Sequence, residues 1–302
     1  MNARFAAALA ALGVPEDEAI GVAVSGGPDS LALLLLAAEA QPGRVRAATV
    51  DHGLRPEARA EADAVAAVCA RLGVPHAILS VAVEGSVQAG ARAARYAALA
   101  DWCRAQALNW LATAHHADDQ AETLLMRIAR GAGLSGLAGV RARRPLSEGV
   151  TLIRPLLDWR KAELETLAAP LSPALDPSNA DPAYDRTAAR ALLASTPWLE
   201  AERLAASAAH LAEAEAALHW AADQAFAERV RDDTLDPAGL PPEIVRRLVL
   251  HIFAAFGEAP RGPELARLIA ALQEGRAVTL GTVKASPGRR WTFAPAPPRR
   301  TG

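Results

Sequence analysis

The chain has 302 residues, and its 51% hydrophobic and 22% charged fractions exclude an intrinsically disordered protein and indicate one large domain with one or two smaller ones. Its two cysteines, Cys69 and Cys103, lie far apart without a C-x-x-C partner, so they indicate neither a disulfide framework nor a zinc cluster and fit a reduced cytoplasm. The net charge of −2 disfavours a nucleic-acid partner on average, although arginines cluster within residues 141–144 and 289–300. From charge alone, solvated surfaces explain these clusters slightly better than a binding patch does.

The apolar segments near the N-terminus are too short for a membrane protein. The first apolar run soon meets Pro15 and the acidic residues 16–18, so no signal peptide is expected. The longest apolar block, residues 31–38, covers less than half of a bilayer-spanning helix, which indicates a buried helix instead. We therefore expect a cytoplasmic protein without a membrane partner. The sequence leaves open whether the chain forms a homodimer.

Between residues 18 and 128, short β-branched runs alternate with longer amphipathic stretches. The pattern predicts four strands and four helices in alternation: strands at 19–25, 45–51, 76–83 and 108–114, and helices at 28–40, 57–72, 86–106 and 118–130. Strands that alternate with helices are typical of a parallel sheet. The predicted fold class is therefore α/β, a Rossmann-like parallel sheet with helices on both faces.

The second half of the chain reads differently. Glycines and prolines break the pattern over residues 131–145, a strand is predicted at 151–154, and the remainder is mostly helical. Helices are predicted at 199–230, 241–256 and 263–272, followed by a small terminal hairpin of residues 277–280 and 290–293. These patterns predict an α/β domain over 1–195 and a mainly helical C-terminal domain with a small β appendage over 196–302.

A phosphate-binding loop is predicted between the first strand and the first helix of the alternating region. Its residues are Ser25, Gly26, Gly27, Pro28, Asp29 and Ser30. Glycines let the backbone approach phosphate oxygens, the helix N-terminus offers free N–H groups, and the serines add hydroxyl donors. Asp29 would repel phosphate unless a bound Mg²⁺ lies between them. The alternative is a serine-glycine turn in which Asp29 only caps the helix.

The loop resembles the SGGxDS loop of the PP-loop ATP pyrophosphatases. It lacks the lysine of a Walker P-loop and is not a G-x-G-x-x-G fingerprint. In that superfamily the loop holds the β and γ phosphates of ATP while an oxygen nucleophile attacks the α-phosphorus, which yields an adenylate and pyrophosphate. The superfamily includes small-molecule synthetases and tRNA-modifying enzymes, so the loop alone does not choose among them.

Two further polar segments follow strands and should lie at the same edge of the sheet. Asp51 and His52 end the second strand and are candidates for adenosine contacts, although a polar turn explains them equally well. After the fourth strand, Asp119 and Glu122 stand three apart on a helix, where both carboxylates share one face and could bind an ammonium or a metal ion. His115, just before them, is a candidate proton acceptor. Helix capping is the plainer alternative for this segment.

Six motifs in order extend the resemblance to one family. They are VDHGLR at 50–55, ARAARY at 91–96, TAHHADDQAET at 113–123, RGAGLSGLAG at 130–139, RPLL at 154–157 and DPSN at 176–179. Together they resemble the tRNA(Ile)-lysidine synthases over residues 18–195. The resemblance implies that 1–195 is the PP-loop catalytic domain and that 196–302 contacts tRNA. The resemblance implies a reaction in which ATP adenylates the wobble cytidine of a CAU anticodon in tRNA(Ile) and L-lysine then replaces the activated oxygen.

The resemblance also implies roles for single residues. Asp119 and Glu122 would bind lysine, Asp29 would support Mg²⁺ and adenylation, and an arginine of the ARAARY helix would assist adenylate chemistry. Arg92 and Arg95 are the candidates for that arginine, with Arg92 preferred; two surface arginines are the plainer alternative. Past the DPSN segment, Arg186 and Arg190 are candidates for the arginine that the family uses in activity and tRNA contact.

Three other functions compete with this interpretation. A PP-loop tRNA thiolase would need suitably placed cysteines, and the two lone cysteines disfavour it. A small-molecule ligase such as an NAD synthetase would not bind tRNA. A nucleotide-binding regulatory module would bind ATP without exchanging pyrophosphate, and the many polar groups predicted at the sheet edge disfavour it.

Overall fold

The computed structural model describes residues 1–51, 57–81, 87–174 and 185–297. His52, the DPSN segment at 176–179 and the arginines at 299 and 300 lie outside the described residues. The chain divides into two compact units, Met1–Ala212 and Glu213–Gly302. The sequence places a boundary near residue 195, whereas the structural division lies later, inside a long helix. The assignment of catalysis to 1–195 and of tRNA contact to 196–302 stays a prediction.

Unit 1 contains a six-stranded sheet in the order β3-β2-β1-β4-β6-β5. The strands are β1 (Ile20–Ala23), β2 (Val45–Asp51), β3 (His76–Ser80), β4 (Trp110–Ala112), β5 (Arg143–Ser147) and β6 (Val150–Ile153). All pairs are parallel except β5 with β6, which is antiparallel. The predicted α/β fold is confirmed. Strand β5 is absent from the prediction because its residues, RRPLS, include two arginines and a proline.

The helices of unit 1 cover both faces of this sheet. They are α1 (Asn2–Ala11), α2 (Pro28–Ala40), α3 (Glu57–Arg71), α4 (Val87–Ala105), α5 (Ala117–Ala129), α6 (Leu134–Leu137), α7 (Lys161–Ala168) and α8 (Asp185–Ser195), followed by the start of α9 (Ala201–Arg229). Alternate strand residues point to opposite faces. Ile20 and Val22 therefore join a core with α1, α2, α3 and α7, while Leu111 and Leu152 join a second core with α4.

Helix α2 shows how the sequence places the nucleotide loop. Pro28 begins the helix, where its missing N–H costs nothing, and five leucines then make the helix apolar on nearly every side. Such a helix has to be buried, and Leu33 and Leu34 are fully buried in the first core. Because α2 is fixed between the sheet and its neighbours α1 and α7, its N-terminus is held at the carboxyl end of β1.

Unit 2 combines helices with a small antiparallel sheet. Its helices are the end of α9, α10 (Pro242–Ala255) and α11 (Gly262–Gln273), and its five strands have the order β7-β8-β11-β10-β9. They are β7 (Val230–Arg231), β8 (Thr234–Leu235), β9 (Val278–Leu280), β10 (Val283–Ser286) and β11 (Trp291–Pro295). The predicted hairpin partners, β9 and β11, do not pair directly, because β10 lies between them and pairs with both. Among the described helices of both units, none is long and apolar enough to cross a membrane.

Candidate active site

The loop between β1 and α2 lies at the point where the strand order reverses. Strand β1 has β2 on one side and β4 on the other, which is the position where open α/β sheets bind ligands. Gly27 is the N-cap of α2 and has no side chain, so the first N–H groups of the helix are not capped by it. These N–H groups and the positive end of the helix dipole face the loop, as an anion-binding loop requires.

The serine hydroxyls organise the loop itself. Ser30 Oγ accepts from the Ser25 N–H at 3.1 Å and from Ser25 Oγ at 3.2 Å, and it donates to the Gly27 carbonyl at 3.0 Å. Ser30 is buried, whereas Ser25 is exposed. The geometry therefore gives Ser30 a role in shaping the loop. The backbone N–H groups at the start of α2, and not the Ser30 hydroxyl, are then the candidate hydrogen-bond donors to phosphate.

Gly26 requires a conformation that other residues adopt at a cost. Its φ is +88°, and a Cβ there would lie 3.3 Å from Val65 Cγ2. We expect Gly26→Ala to lose about 1–2 kcal/mol of folding stability and to reduce pyrophosphate release. Gly43→Ala is a matched control, because Gly43 has φ +75° and nothing lies within 4 Å of its Cβ position. Thermal unfolding should show similar losses in both variants; an equal loss of activity in both would contradict a role for Gly26 in the nucleotide loop.

Helix α5 begins with a capping box at the end of β4. His116 Nδ1 accepts from the Asp119 N–H at 3.4 Å, and Asp119 Oδ2 accepts from the His116 N–H at 3.2 Å. Asp118 turns away to Arg160, whose Nη2 lies 3.2 Å from Oδ1, and to the backbone N–H of Lys161 at 2.8 Å. The capping that the sequence offers as an alternative is therefore real. It fixes the direction of Asp119 without occupying its second carboxylate oxygen.

Asp29 has one oxygen that fits a cation. Its Oδ1 is buried and has no hydrogen-bond partner among the described residues, while Oδ2 lies 3.6 Å from His116 Nε2. A buried carboxylate oxygen without a donor is costly unless a cation binds it. Burial lowers the pKa of His116, but Asp29 and the charges of Asp119 and Asp118 outweigh burial and raise that pKa above its usual value. Asp29 thus meets the requirement for an Mg²⁺ ligand.

His115 is held as a neutral imidazole. Burial and the positive charge of Arg154 lower its pKa to about 4. Arg154 is buried, and its Nε donates to His115 Nδ1 at 3.3 Å. Since the guanidinium can only donate, Nδ1 must accept, and the ring hydrogen is on Nε2. This arrangement makes His115 a hydrogen-bond donor and a poor proton acceptor, which differs from the role that the sequence suggests for it.

The predicted lysine-binding carboxylates are paired with arginines of α8. Glu122 accepts from Arg190 Nε at 2.6 Å, and Arg186 Nε lies 3.0 Å from its other oxygen. Arg186 Nη2 also lies 3.9 Å from Asp119 Oδ1. The Glu122 side chain is only 5% exposed and that of Asp119 15%. Asp119 and Glu122 therefore do share one face of α5, and that face holds cationic groups.

The two candidate arginines of α4, Arg92 and Arg95, have different positions. Both guanidinium groups lie over the Tyr96 ring, at 5.3 Å for Arg92 and 5.6 Å for Arg95. Arg92 is exposed, whereas Arg95 is half-buried, and burial lowers its pKa. Only Arg95 of the two is among the described residues that line the cavity in front of the loop. The geometry thus favours Arg95 over Arg92, the residue that the sequence analysis prefers.

A cavity of about 690 Å³ brings most of the predicted residues together. Its lining includes Ser25, Gly27, Pro28, Asp29, Ser30, Arg95, His115, Asp119 and Arg186. Gly26, Asp51, Arg92 and Glu122 are not among the described lining residues. Lys161 and Glu165 also line the cavity, 3.7 Å apart, and the sequence analysis misses them. The scarcity of lysine was the available signal, since Lys161 is one of only two in the chain.

Neither cysteine is among the described residues that line this cavity. Cys69 and Cys103 are buried in the cores beside α3 and α4. Burial raises the pKa of the Cys69 thiol to about 11 and that of Cys103 to about 12, so neither forms a thiolate readily. Thiolase chemistry through these residues is disfavoured by their burial as well as by their spacing.

Comparisons with known proteins agree on the kind of fold and on a group of relatives. A PP-loop domain family matches residues 1–196. The chain is 48% identical over 295 residues to a tRNA(Ile)-lysidine synthase from Novosphingobium aromaticivorans, covering 93% of this chain and 90% of that protein. It is 45% identical over 303 residues to one from Zymomonas mobilis, covering 96% and 92%. Among solved structures, the U34-tRNA thiolase NcsA from Methanococcus maripaludis has a TM-score of 0.57 at 19% identity, covering 70% of this chain and 77% of that one. At that identity the similarity concerns the fold alone.

Proposed function

The chain belongs to the tRNA(Ile)-lysidine synthase family of PP-loop proteins, and from that premise we propose how its cavity carries out an ATP-dependent ligation. ATP adenylates the wobble cytidine of the CAU anticodon of tRNA(Ile) and releases pyrophosphate. L-lysine then displaces AMP and forms lysidine, which changes the codon read from AUG to AUA. The observation that carries the proposal is the single cavity that combines the loop at 25–30, Asp119 and Arg186.

The nucleotide half of the cavity performs the adenylation. The N–H groups at the start of α2 bind the β and γ phosphates of ATP, and Lys161, which lines the same cavity, adds a positive charge. When bound, Mg²⁺ would be held by Asp29 Oδ1 and would neutralise charge on the departing pyrophosphate. Arg95, which lines the cavity, stabilises the α-phosphoryl group while the cytidine oxygen attacks. Asp51 stays a predicted contact for adenosine at the end of β2.

The lysine half of the cavity works by exchange of cations. Two carboxylates, Asp119 and Glu122, are balanced by two guanidinium groups, Arg186 and Arg190. An incoming lysine ammonium would leave this group with one excess positive charge. We therefore propose that Arg186, the more exposed of the two arginines, leaves the carboxylates and binds a phosphate of tRNA. The lysine ammonium then takes its place. The other amine of lysine is then held for attack.

His115 contributes a hydrogen bond. With its Nδ1 fixed by Arg154, the Nε2–H can donate to the leaving phosphate or to the cytosine edge. Because its pKa is about 4, the imidazole stays neutral through the pH range in which the cytoplasm works, the compartment where we place the reaction. The cytosine has to leave its stack to enter the cavity, as single-stranded anticodon bases can do.

The direct test is ATP-dependent incorporation of labelled lysine into unmodified tRNA(Ile) with a CAU anticodon. The expected result is one lysine per tRNA, with AMP and pyrophosphate released in equal amounts, and no incorporation into methionine tRNA with the same anticodon. Substitution of the wobble cytidine by uridine should abolish incorporation. Protein that binds ATP but incorporates no lysine would contradict the proposal and return the choice to other PP-loop enzymes.

A further inference from the structure

Three side chains of the kinds that bind metal ions lie together in unit 2, and the ligation does not use them. His219 and Asp223 are on α9, and His251 is on α10. His219 Nε2 lies 3.8 Å from Asp223 Oδ2, and His251 Nδ1 lies 3.8 Å from Asp223 Oδ1. One ligand atom from each residue lies within 4.8 Å of the other two. Within the described part of the chain, this is the one such group of three or more residues.

The helices create this cluster through their regular spacing. His219 and Asp223 are four residues apart, so they lie on the same face of α9, one turn from each other. One turn earlier on both helices, Glu215 of α9 accepts from Arg247 of α10 at 2.6 Å, and both side chains are buried. That ion pair fixes α9 against α10 at the turn before the cluster. His251 is therefore held opposite Asp223 by buried structure and not by the surface residues alone.

The geometry suits a metal ion of the zinc class. Ligands at about 2.0–2.2 Å from a tetrahedral ion are themselves about 3.4 Å apart. Each histidine nitrogen lies 3.8 Å from a different oxygen of Asp223, and one ligand atom of each residue lies within 4.8 Å of the others, so side-chain rotations have to bring the three closer around the ion. The two imidazole rings are nearly perpendicular, at 81° with centroids 5.6 Å apart, which lets both nitrogens point at one position without stacking. The side chains are 61%, 49% and 32% exposed for His219, Asp223 and His251, so an ion can enter and keep water as a further ligand.

We propose that His219, Asp223 and His251 bind one divalent transition-metal ion of the zinc class, with water in the remaining position. Imidazole nitrogen and carboxylate oxygen are both common zinc ligands, and this cluster offers two imidazoles and one carboxylate. The ion links α9 to α10 and so stabilises unit 2. The competing explanation is that two histidines share one carboxylate by ion pairing only, without a metal.

The test uses the full chain after removal of metals with a chelator. Titration with Zn²⁺ by calorimetry should show one site in the parent protein. In His251→Ala its affinity should fall at least about 10-fold, because losing a residue that only hydrogen-bonds a metal ligand already costs that much. Asp223→Asn, which keeps the shape of the side chain, should lose the site as well. His210→Ala is the matched control, since His210 is an exposed histidine of the same helix outside the cluster and should keep the affinity.

A second measurement distinguishes this site from metal bound elsewhere. Co²⁺ added to the chelated protein should give visible absorption bands of a low-symmetry site, and these bands should be absent in His251→Ala and Asp223→Asn. Zn²⁺ should raise the unfolding temperature of the parent and of His210→Ala, but not of the other two variants. Equal zinc affinity and equal bands in all four proteins would overturn the proposal, as would a parent protein that binds no zinc.

Discussion

Asp29→Asn is expected to block adenylation of the tRNA and therefore also the lysine transfer that follows it. The substitution keeps the shape of the side chain and removes the negative charge of a carboxylate whose buried Oδ1 has no hydrogen-bond partner among the described residues. Without that charge the cation that neutralises pyrophosphate loses its ligand, and we expect tRNA-dependent pyrophosphate release to fall about 100- to 1000-fold, the range for losing one preorganised electrostatic group. Quenched measurements of pyrophosphate release with tRNA and without lysine would detect this.

Glu39→Gln provides the control for that variant. Glu39 is an exposed acid near the other end of the same helix, α2, so it tests the loss of one negative charge without the loop. It should release pyrophosphate at the parent rate. If Asp29→Asn also kept the parent rate at saturating Mg²⁺, the role of Asp29 in adenylation would be wrong.

Asp119→Asn is expected to separate the two half-reactions. Asp119 lines the cavity, whereas its neighbour Glu122 is buried beneath Arg186 and Arg190. Loss of a charge contact to the lysine ammonium costs about 2–5 kcal/mol, which corresponds to at least about 30-fold in lysine incorporation. Adenylation is expected to proceed without this carboxylate. Adenylated tRNA should therefore accumulate, which chromatography of labelled tRNA after digestion would show.

Asp118→Asn is the matched control for the adjacent carboxylate. Asp118 is bonded to Arg160 and to the Lys161 backbone, so its neutral variant should lower the unfolding temperature. The ratio of lysine incorporated to pyrophosphate released should stay near one. An Asp119→Asn variant with the same ratio as the parent would contradict the lysine-binding role, whatever its stability.

The elements nearest the nucleotide were predicted well because local rules determine them. The bounds of α2 and β2 agree with the predicted 28–40 and 45–51, since a proline, a glycine loop and continuous apolar runs mark their ends. Capping of α5 was offered as an alternative, and the structure has it as a capping box between His116 and the cavity-lining Asp119. Asp119 therefore both caps the helix and lines the cavity.

The remaining features depend on contacts between distant parts of the chain. Glu122 meets Arg190 across 68 positions, and His115 meets Arg154 across 39, so no window of sequence contains either pair. The low pKa of His115 follows from burial and from such a contact, the positive charge of Arg154, which no local pattern shows. Strand β10 was missed for another reason: its four residues, VKAS, include a lysine and an alanine, which are depleted in strands. The functional roles of the site residues stay predictions.

The antiparallel strand β5 has a consequence for aggregation. Open sheet edges invite pairing with a second chain, and proteins discourage this with proline, charge and irregular register. Strand β5 has all three at the end of the sheet of unit 1: Pro145 lacks an N–H, Arg143 and Arg144 are charged, and the pairing with β6 shifts register between Pro145 and Ser147. We therefore expect any self-association of this protein to use a surface other than that edge. A strand from a partly unfolded chain would also form few hydrogen bonds there.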